Sequence, residues 1–227
     1  VLLEVVALHR TERWGNMDLR PTGDGGSLQV TPAQYASHFS DAGSARVSGE
    51  ISPSYLWVPG TAQRIHRLLG PVRILILLRN PIERSFSDFS YSHHFGRNQV
   101  SFRNFLQQAQ PLLDKSQLTL DPFHPTAVLW KGFYAQQVES YLEVFGRDLV
   151  FVRLFEEMIG DVPGFRGALT SFLGIEDKWP LHLNRVNESQ SPTPIDHQDR
   201  EMLRTIFRDD IRRLEGLLGK DLGSWLS

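Results

Sequence analysis

An arginine closing an apolar run, a helix start directly behind it, and a serine further along that helix form the chemically most pointed set in this chain. The stretch is Val72–Phe89, V-R-I-L-I-L-L-R-N-P-I-E-R-S-F-S-D-F. Its apolar run, Ile74–Leu78, ends in Arg79 and is bracketed by Gly70-Pro71 and Asn80-Pro81. A short leucine- and isoleucine-rich run so bounded reads as a buried parallel strand. Asn80 suits an N-cap, Pro81 the first helical position, and Glu83 at N3 completes a capping box. The junction delivers Arg79 to the carboxyl end of a strand, where open α/β sheets bind ligands. Ser87 follows three residues after Arg84, on a neighbouring face. A guanidinium, a hydroxyl and a helix N-terminus can together hold a phosphate. The same residues also have a plain structural reading: any α/β protein can end a strand in arginine, and N-P-x-E is a good helix start in its own right.

Glu50, in R-V-S-G-E-I-S-P-S-Y-L, carries two readings. A glutamate beside a serine-rich turn is commonly solvated or a cap partner. At a strand end near an anion pocket it can instead act as a general base, accepting the proton of an attacking hydroxyl. Asp88 with His93 and His94 is a loose metal set, but adjacent histidines do not easily both point inward, and no metal is expected.

Composition removes several classes. The chain has 227 residues, 41% hydrophobic and 22% charged, enough for a single domain over residues 1–227 with a sizeable core. A net charge of −2 gives no global basic field for nucleic acid or an anionic membrane. Cysteine is absent, so disulfides, thiolate nucleophiles and cysteine-metal sites are out. The lysines are Lys115, Lys131, Lys178 and Lys220; the other cations are arginines, which suit bidentate oxyanion recognition. No apolar segment approaches the roughly 20 residues needed to cross a bilayer. The start, V-L-L-E-V-V-A-L-H-R, is a poor signal peptide, so the cytoplasm is the default compartment.

Around these residues the pattern predicts alternating strands and helices. Val1–Leu8 is a strand or a helix. Arg10–Leu28, with Gly23, Gly25 and Gly26, is a surface loop without the G-x-x-x-x-G-K-[ST] pattern. A helix capped by Thr31 runs towards Ala42, and Val47–Ile51 is a short strand ended by Pro53. Pro59–Leu69 forms a helix with Ile65, Leu68 and Leu69 inward. The helix from Pro81 ends near His93–Gly96 and packs through Phe86 and Phe89. Ser101 caps Phe102–Ala109, and Pro111–Pro125 connects or forms a lid. One long helix spans Thr126–Phe145, then Asp148–Leu154 is a second buried strand. Glu156 and Glu157 serve capping or scaffold. Gly164–Leu173 is a helix stopped by Gly174. Asp196 caps a last helix to Leu218, with Met202, Ile206, Ile211, Leu214 and Leu217 as its stripe. The tail docks by Leu222, Trp225 and Leu226.

Two segments carry a family resemblance. R-N-P-I-E-R-S-F-S-D-F resembles the nucleotide 3′-phosphate signature of sulfotransferases that use 3′-phosphoadenosine-5′-phosphosulfate (PAPS), and G-E-I-S-P-S-Y-L resembles that family's segment after the donor-sulfate loop. The resemblance covers about Tyr35–Leu226, including K-G-F-Y-A-Q-Q-V-E-S-Y-L-E-V-F-G. It implies a three-layer α/β/α fold with a central parallel sheet, like nucleotide kinases. It assigns Arg79 and Ser87 to the 3′-phosphate, Arg84 to support of that site or to a surface salt bridge with Glu83 or Asp88, and Glu50 to the catalytic base. Arg185, with Asn184 and Asn187 as supports, sits in the segment that closes over the nucleotide in the family; phosphate contact and a solvent-facing role are equal readings for it. Many carbohydrate-acting members have lysine directly after the glutamate; Ile51 stands here, which argues against an acidic sugar polymer. The family's x-K-x-G-T-[ST] donor loop does not precede Glu50, and is expected upstream of Val1. The acceptor is then a hydroxylated small molecule, lipid or saccharide. A different phosphate-binding enzyme, such as a nucleotide kinase, and a catalytically silent nucleotide- or protein-binding domain stay open beside this reading.

Overall fold

The computed structural model describes residues 5–9, 37, 39–40, 47–94, 96–97, 99–113, 119, 121–177 and 194–227. The chain clusters into two compact units, Val1–Leu78 with Gln137–Asn184, and Arg79–Gln136 with Arg185–Ser227. The expected Thr31-capped helix, the loop at residues 10–28, and the Trp179–Pro194 loop apart from Pro194 lie outside the described residues or nearly so.

The first unit is built on a four-stranded sheet, ordered β2-β1-β3-β4. The strands are β1 (Val5–His9), β2 (Ser48–Ile51), β3 (Arg73–Leu78) and β4 (Val150–Leu154). β3 and β4 pair in parallel, Ile74 against Val150 through Leu78 against Leu154, as their apolar runs predict. β1 runs antiparallel to both β2 and β3. The expected parallel pairing is thus present at β3–β4, and β1 adds antiparallel pairing beside it. Strand direction depends on pairing between distant segments, which side-chain periodicity does not encode.

β3 alternates as a pleated strand must. Ile74, Ile76 and Leu78 are fully buried. Leu75 and Leu77 turn to the other face, where Leu77 and Phe151 join Met158, Phe165, Leu169 and Leu173 in one cluster. Those partners come from α-helices Phe155–Gly160 and Val162–Leu173. The first is capped through Glu157, whose carboxylate accepts from the Leu154 amide at 3.3 Å. The second starts two residues before Gly164, because Asp161 accepts from the Gly164 amide at 2.9 Å and Pro163 is tolerated in a first turn. Gly174, at φ 67°, ends it. Also in this unit, the short helix α1 (Ser54–Trp57) buries Tyr55, Leu56 and Trp57. The next helix, α2 (Thr61–Leu69), buries Ile65 and Leu69, but Leu68 is 41% exposed.

The second unit is helical. It holds α3 (Pro81–His94), α4 (Phe102–Leu113), α5 (Pro125–Trp130) and the start of α6 (Tyr134–Phe145). With α7 and α8 for the two sheet-packing helices named above, the last is α9 (His197–Leu218). α3 and α4 meet through Phe89, whose ring lies 4.8 Å from Phe102 and 5.1 Å from Phe105. Ser101 caps α4 as expected, and the helix continues through Pro111 to Leu113. α9 is capped by Asp196, accepting from Gln198 at 2.9 Å. Its buried stripe is Leu203, Phe207, Ile211 and Leu214, so the N-terminal half is rotated one residue from the predicted Met202 and Ile206. Leu222 and Trp225 dock the tail.

The predicted continuous helix over Thr126–Phe145 is broken. Gly132 and Phe133 make tight bonds to Leu129 and Trp130 carbonyls, at 2.8 and 3.0 Å, which close α5. α6 then starts afresh, and its Ala135 amide bonds to the carboxylate of Asp210 on α9, at 3.3 and 3.2 Å to the two oxygens. Phe207 of α9 lies against the break, its ring 5.2 Å from Phe133. The break thus comes from a neighbouring helix: Phe207 fills the space a straight helix would use, and Asp210 caps the restart.

Two measurements check this. A Cβ on Gly132 would fall 2.7 Å from the Phe207 ring and 3.1 Å from an Arg84 nitrogen. Gly132→Ala is expected to lower unfolding stability by about 1–3 kcal/mol in urea melts, with Phe207→Leu restoring part of the loss. Burial pushes the Asp210 carboxyl up to about 6, against backbone bonds from Ala135 and Tyr134 and the Arg213 charge, which pull it down. The unfolded chain then holds fewer protons than the folded chain between roughly pH 4 and 6. Stability must fall across that window as pH rises, by about 2–3 kcal/mol, and flatten above it. Urea midpoints measured against pH should show this fall, and Asp210→Asn should remove it.

Candidate functional site

The strand-to-helix junction forms as its turn chemistry requires. β3 ends at Leu78, and Arg79 and Asn80 are half-buried beyond it. The Asn80 side chain accepts from the Ile82 amide at 2.9 Å, and its carbonyl from the Arg84 amide at 2.9 Å. Pro81 begins α3. Glu83, expected to close a capping box, pairs instead with Arg200 on α9 at 2.7 Å. The cap satisfies one first-turn amide. The positive end of a 14-residue helix, with its other first-turn amides, still favours an anion.

Ser87 lies seven residues beyond Asn80, nearly two full turns, so the two share a face about 10 Å apart along the axis. Ser87 is half-buried. Its neighbours Ser85, Ser90 and Ser92 donate their hydroxyls to the Pro81, Phe86 and Phe89 carbonyls, at 2.7–2.8 Å. Among the described residues the Ser87 hydroxyl makes no such bond.

Arg84 does not lie on the surface. It is fully buried, bonded to Asp88 at 2.8 Å and to the Val128 carbonyl at 2.6 Å. Lys131 reaches the same Asp88 oxygen at 3.2 Å and the Pro122 carbonyl at 2.9 Å. The surface salt bridge considered for Arg84 is therefore a buried one, and the residue braces α3 from behind. Asp88 is held in this cluster, while His93 and His94 are exposed; no metal-ligating group forms among the described residues.

Glu50 belongs to the first unit, and Arg79, Arg84 and Ser87 to the second. Glu50 is half-buried, one residue from the end of β2, with Ile51 after it 45% exposed. Tyr55 donates its phenol to a Glu50 carboxylate oxygen at 2.9 Å, and Tyr141 donates to the Tyr55 carbonyl at 2.6 Å. Burial pushes the Tyr141 phenol far above its ordinary range, with Arg64 pulling it back, so Tyr141 stays a donor at neutral pH. The two tyrosines orient the carboxylate. The pattern E-I-S-P-S-Y, a carboxylate and a phenol across a proline turn, was the available signal for Tyr55; nothing in sequence marked Tyr141. Arg185, Asn184 and Asn187 lie outside the described residues.

A solved sulfotransferase from Alicyclobacillus acidocaldarius is similar over 78% of this chain and 66% of that one, at TM-score 0.63 and 34% identity. This chain belongs to a sulfotransferase family. The fold is accordingly the α/β, P-loop-like fold of sulfotransferases. Two curated sulfotransferases, heparan sulfate glucosamine 3-O-sulfotransferase 6 of Mus musculus and of Homo sapiens, are each 23% identical over 135 residues. Those alignments take in 58% of this chain and 36% of the relatives' length. A third sulfotransferase, the membrane-associated kil1 of Dictyostelium discoideum, is 38% identical over 61 residues, 26% of this chain and 13% of that protein. No family model matches the chain. Among the described residues no helix is long and apolar enough to cross a membrane.

Proposed function

We propose that this chain, as one sulfotransferase-like domain, moves a sulfuryl group from PAPS to an acceptor hydroxyl. The observation that carries the reading is the α3 N-terminus: an asparagine-capped helix with Arg79 before it and an unbonded Ser87 hydroxyl on the cap's own face. A guanidinium, a hydroxyl and helix-end amides suit a dianionic phosphate. In this reading Arg79 and Ser87 hold the 3′-phosphate, Arg84 supports them by fixing α3, and Arg185 contributes a further cation over the nucleotide.

Glu50, oriented by Tyr55, takes the proton from the acceptor hydroxyl. The hydroxyl oxygen attacks sulfur in line and a new oxygen–sulfur bond forms. The bond from sulfur to the 5′-phosphate oxygen breaks, and adenosine 3′,5′-bisphosphate departs with that electron pair. Positioning and stabilisation of charge on the sulfuryl oxygens supply the catalysis. No metal enters the scheme. The names of the mammalian relatives specify a glucosamine unit of heparan sulfate; we extend to this chain only the class, a hydroxyl-bearing saccharide. Ile51, beside Glu50, favours a neutral sugar over a polyanion.

Two experiments test this. Arg79→Ala should weaken adenosine 3′,5′-bisphosphate binding in calorimetry about 10- to 100-fold, the worth of a charge-assisted phosphate contact, and leave adenosine 5′-monophosphate unaffected. Equal affinity of the unaltered protein for the two nucleotides would remove the 3′-phosphate assignment. Glu50→Gln should cut kcat by about 10²–10⁴ with bisphosphate affinity within about twofold, and Tyr55→Phe should cut it less, about 3- to 10-fold, since the phenol only orients the base. Unchanged turnover in Glu50→Gln would exclude it as the base.

A further inference from the structure

Asn80, Glu83 and Ser87 follow one another at steps of three and four residues, so they share one stripe of α3. The stripe runs from the cap to the hydroxyl assigned to the 3′-phosphate, and a carboxylate stands between them. Glu83 and Ser87 are an i,i+4 pair, whose Cβ atoms lie about 6 Å apart on a helix. At that range an uncancelled carboxylate would repel the same dianion that the helix end and the hydroxyl attract.

The compensating charge comes from α9. Arg200 pairs with Glu83 at 2.7 Å, with side chains 28% and 39% exposed. We propose that Arg200 is a positioning residue of the phosphate site: its guanidinium, held on this stripe by Glu83, cancels the glutamate's charge and lets a phosphate settle beside Ser87. The proposal rests on the reading of that stripe as the 3′-phosphate site.

The register of α9 explains how Arg200 comes to face α3. Arg103 on α4 grips the first turn of α9. It donates to Asp196 at 2.9 Å, to the Gln198 side-chain carbonyl at 2.8 Å, and to Asp199, which is buried. With Asp199 turned towards α4, the next residue points about 100° further round the helix. That direction is the one in which Arg200 meets Glu83. Arg204, one turn on, pairs within its own helix with Glu201. A half-exposed ion pair contributes little stability by itself. Its place one turn before Ser87 gives it a use that stability does not. The pairing engages one nitrogen of Arg200, and a guanidinium carries five N–H donors in all.

Calorimetry on the full chain, with adenosine 3′,5′-bisphosphate and adenosine 5′-monophosphate as probes, tests the inference. Arg200→Ala should weaken the bisphosphate about 5- to 20-fold and leave the monophosphate within about twofold. Arg200→Lys keeps the charge, so it should stay within about threefold of the unaltered protein. Adding Glu83→Gln to Arg200→Ala should restore most of the lost affinity, because the carboxylate to be cancelled is gone. Glu83→Gln alone should bind the bisphosphate at least as tightly as the unaltered protein. A pair that only holds α3 to α9 would act differently: Glu83→Gln would weaken binding as Arg200→Ala does, and the double variant would stay weak. Either of those results, or a bisphosphate affinity indifferent to Arg200→Ala, overturns the role of Arg200 and leaves the 3′-phosphate assignment standing. An unaltered protein that binds both nucleotides equally overturns that assignment, and the role of Arg200 with it.

Discussion

One carboxylate oxygen of Asp88 receives both the Arg84 guanidinium and the Lys131 ammonium away from solvent, and the second unit is arranged around that contact. Charges taken out of water cost several kcal/mol each, and the pairing offsets this only with good geometry and further acceptors. Those acceptors are present: the Val128 carbonyl for Arg84 and the Pro122 carbonyl for Lys131. The cluster therefore locks three pieces of backbone together, α3, the end of α5 and the turn before α5. A hydrophobic substitute could contribute as much stability, but it would not specify this alignment.

The same logic is visible at Glu50. A carboxylate near the end of an edge strand has several rotamers available. Tyr55 restricts them by donating to one oxygen, and Tyr141 restricts Tyr55 by donating to its backbone carbonyl. Tyr141 can do so across the neutral range because burial keeps its phenol protonated. Each unit thus holds its chemical group by hydrogen bonds from interior residues, while the group itself stays accessible.

Local chemistry was readable in sequence. Asn80-Pro81 ends a strand and starts a helix with atoms only a few residues apart, so the cap at Ile82 followed from residue types. Gly174, Ser101 and Asp196 acted at the boundaries where their side chains or backbone freedom are needed. Arg84 was harder. Its partner Asp88, four residues on, was among the options, yet whether that pair faces water depends on what covers α3. Glu83 found Arg200 on α9 instead of its own helix start, for the same reason.

Sequence alone determined the β3–α3 junction and the parallel partner strand. Apolar runs, caps and charge types act over one or two turns and need no distant neighbour. Tertiary structure decided the direction of β1, the break at Gly132, the offset stripe of α9, the burial of Arg84 and the tyrosine pair behind Glu50. Each of those is settled by a segment tens of residues away, such as Phe207 lying against Gly132 and Asp210 capping α6. Local periodicity carries no record of such a partner until the chain has closed on itself.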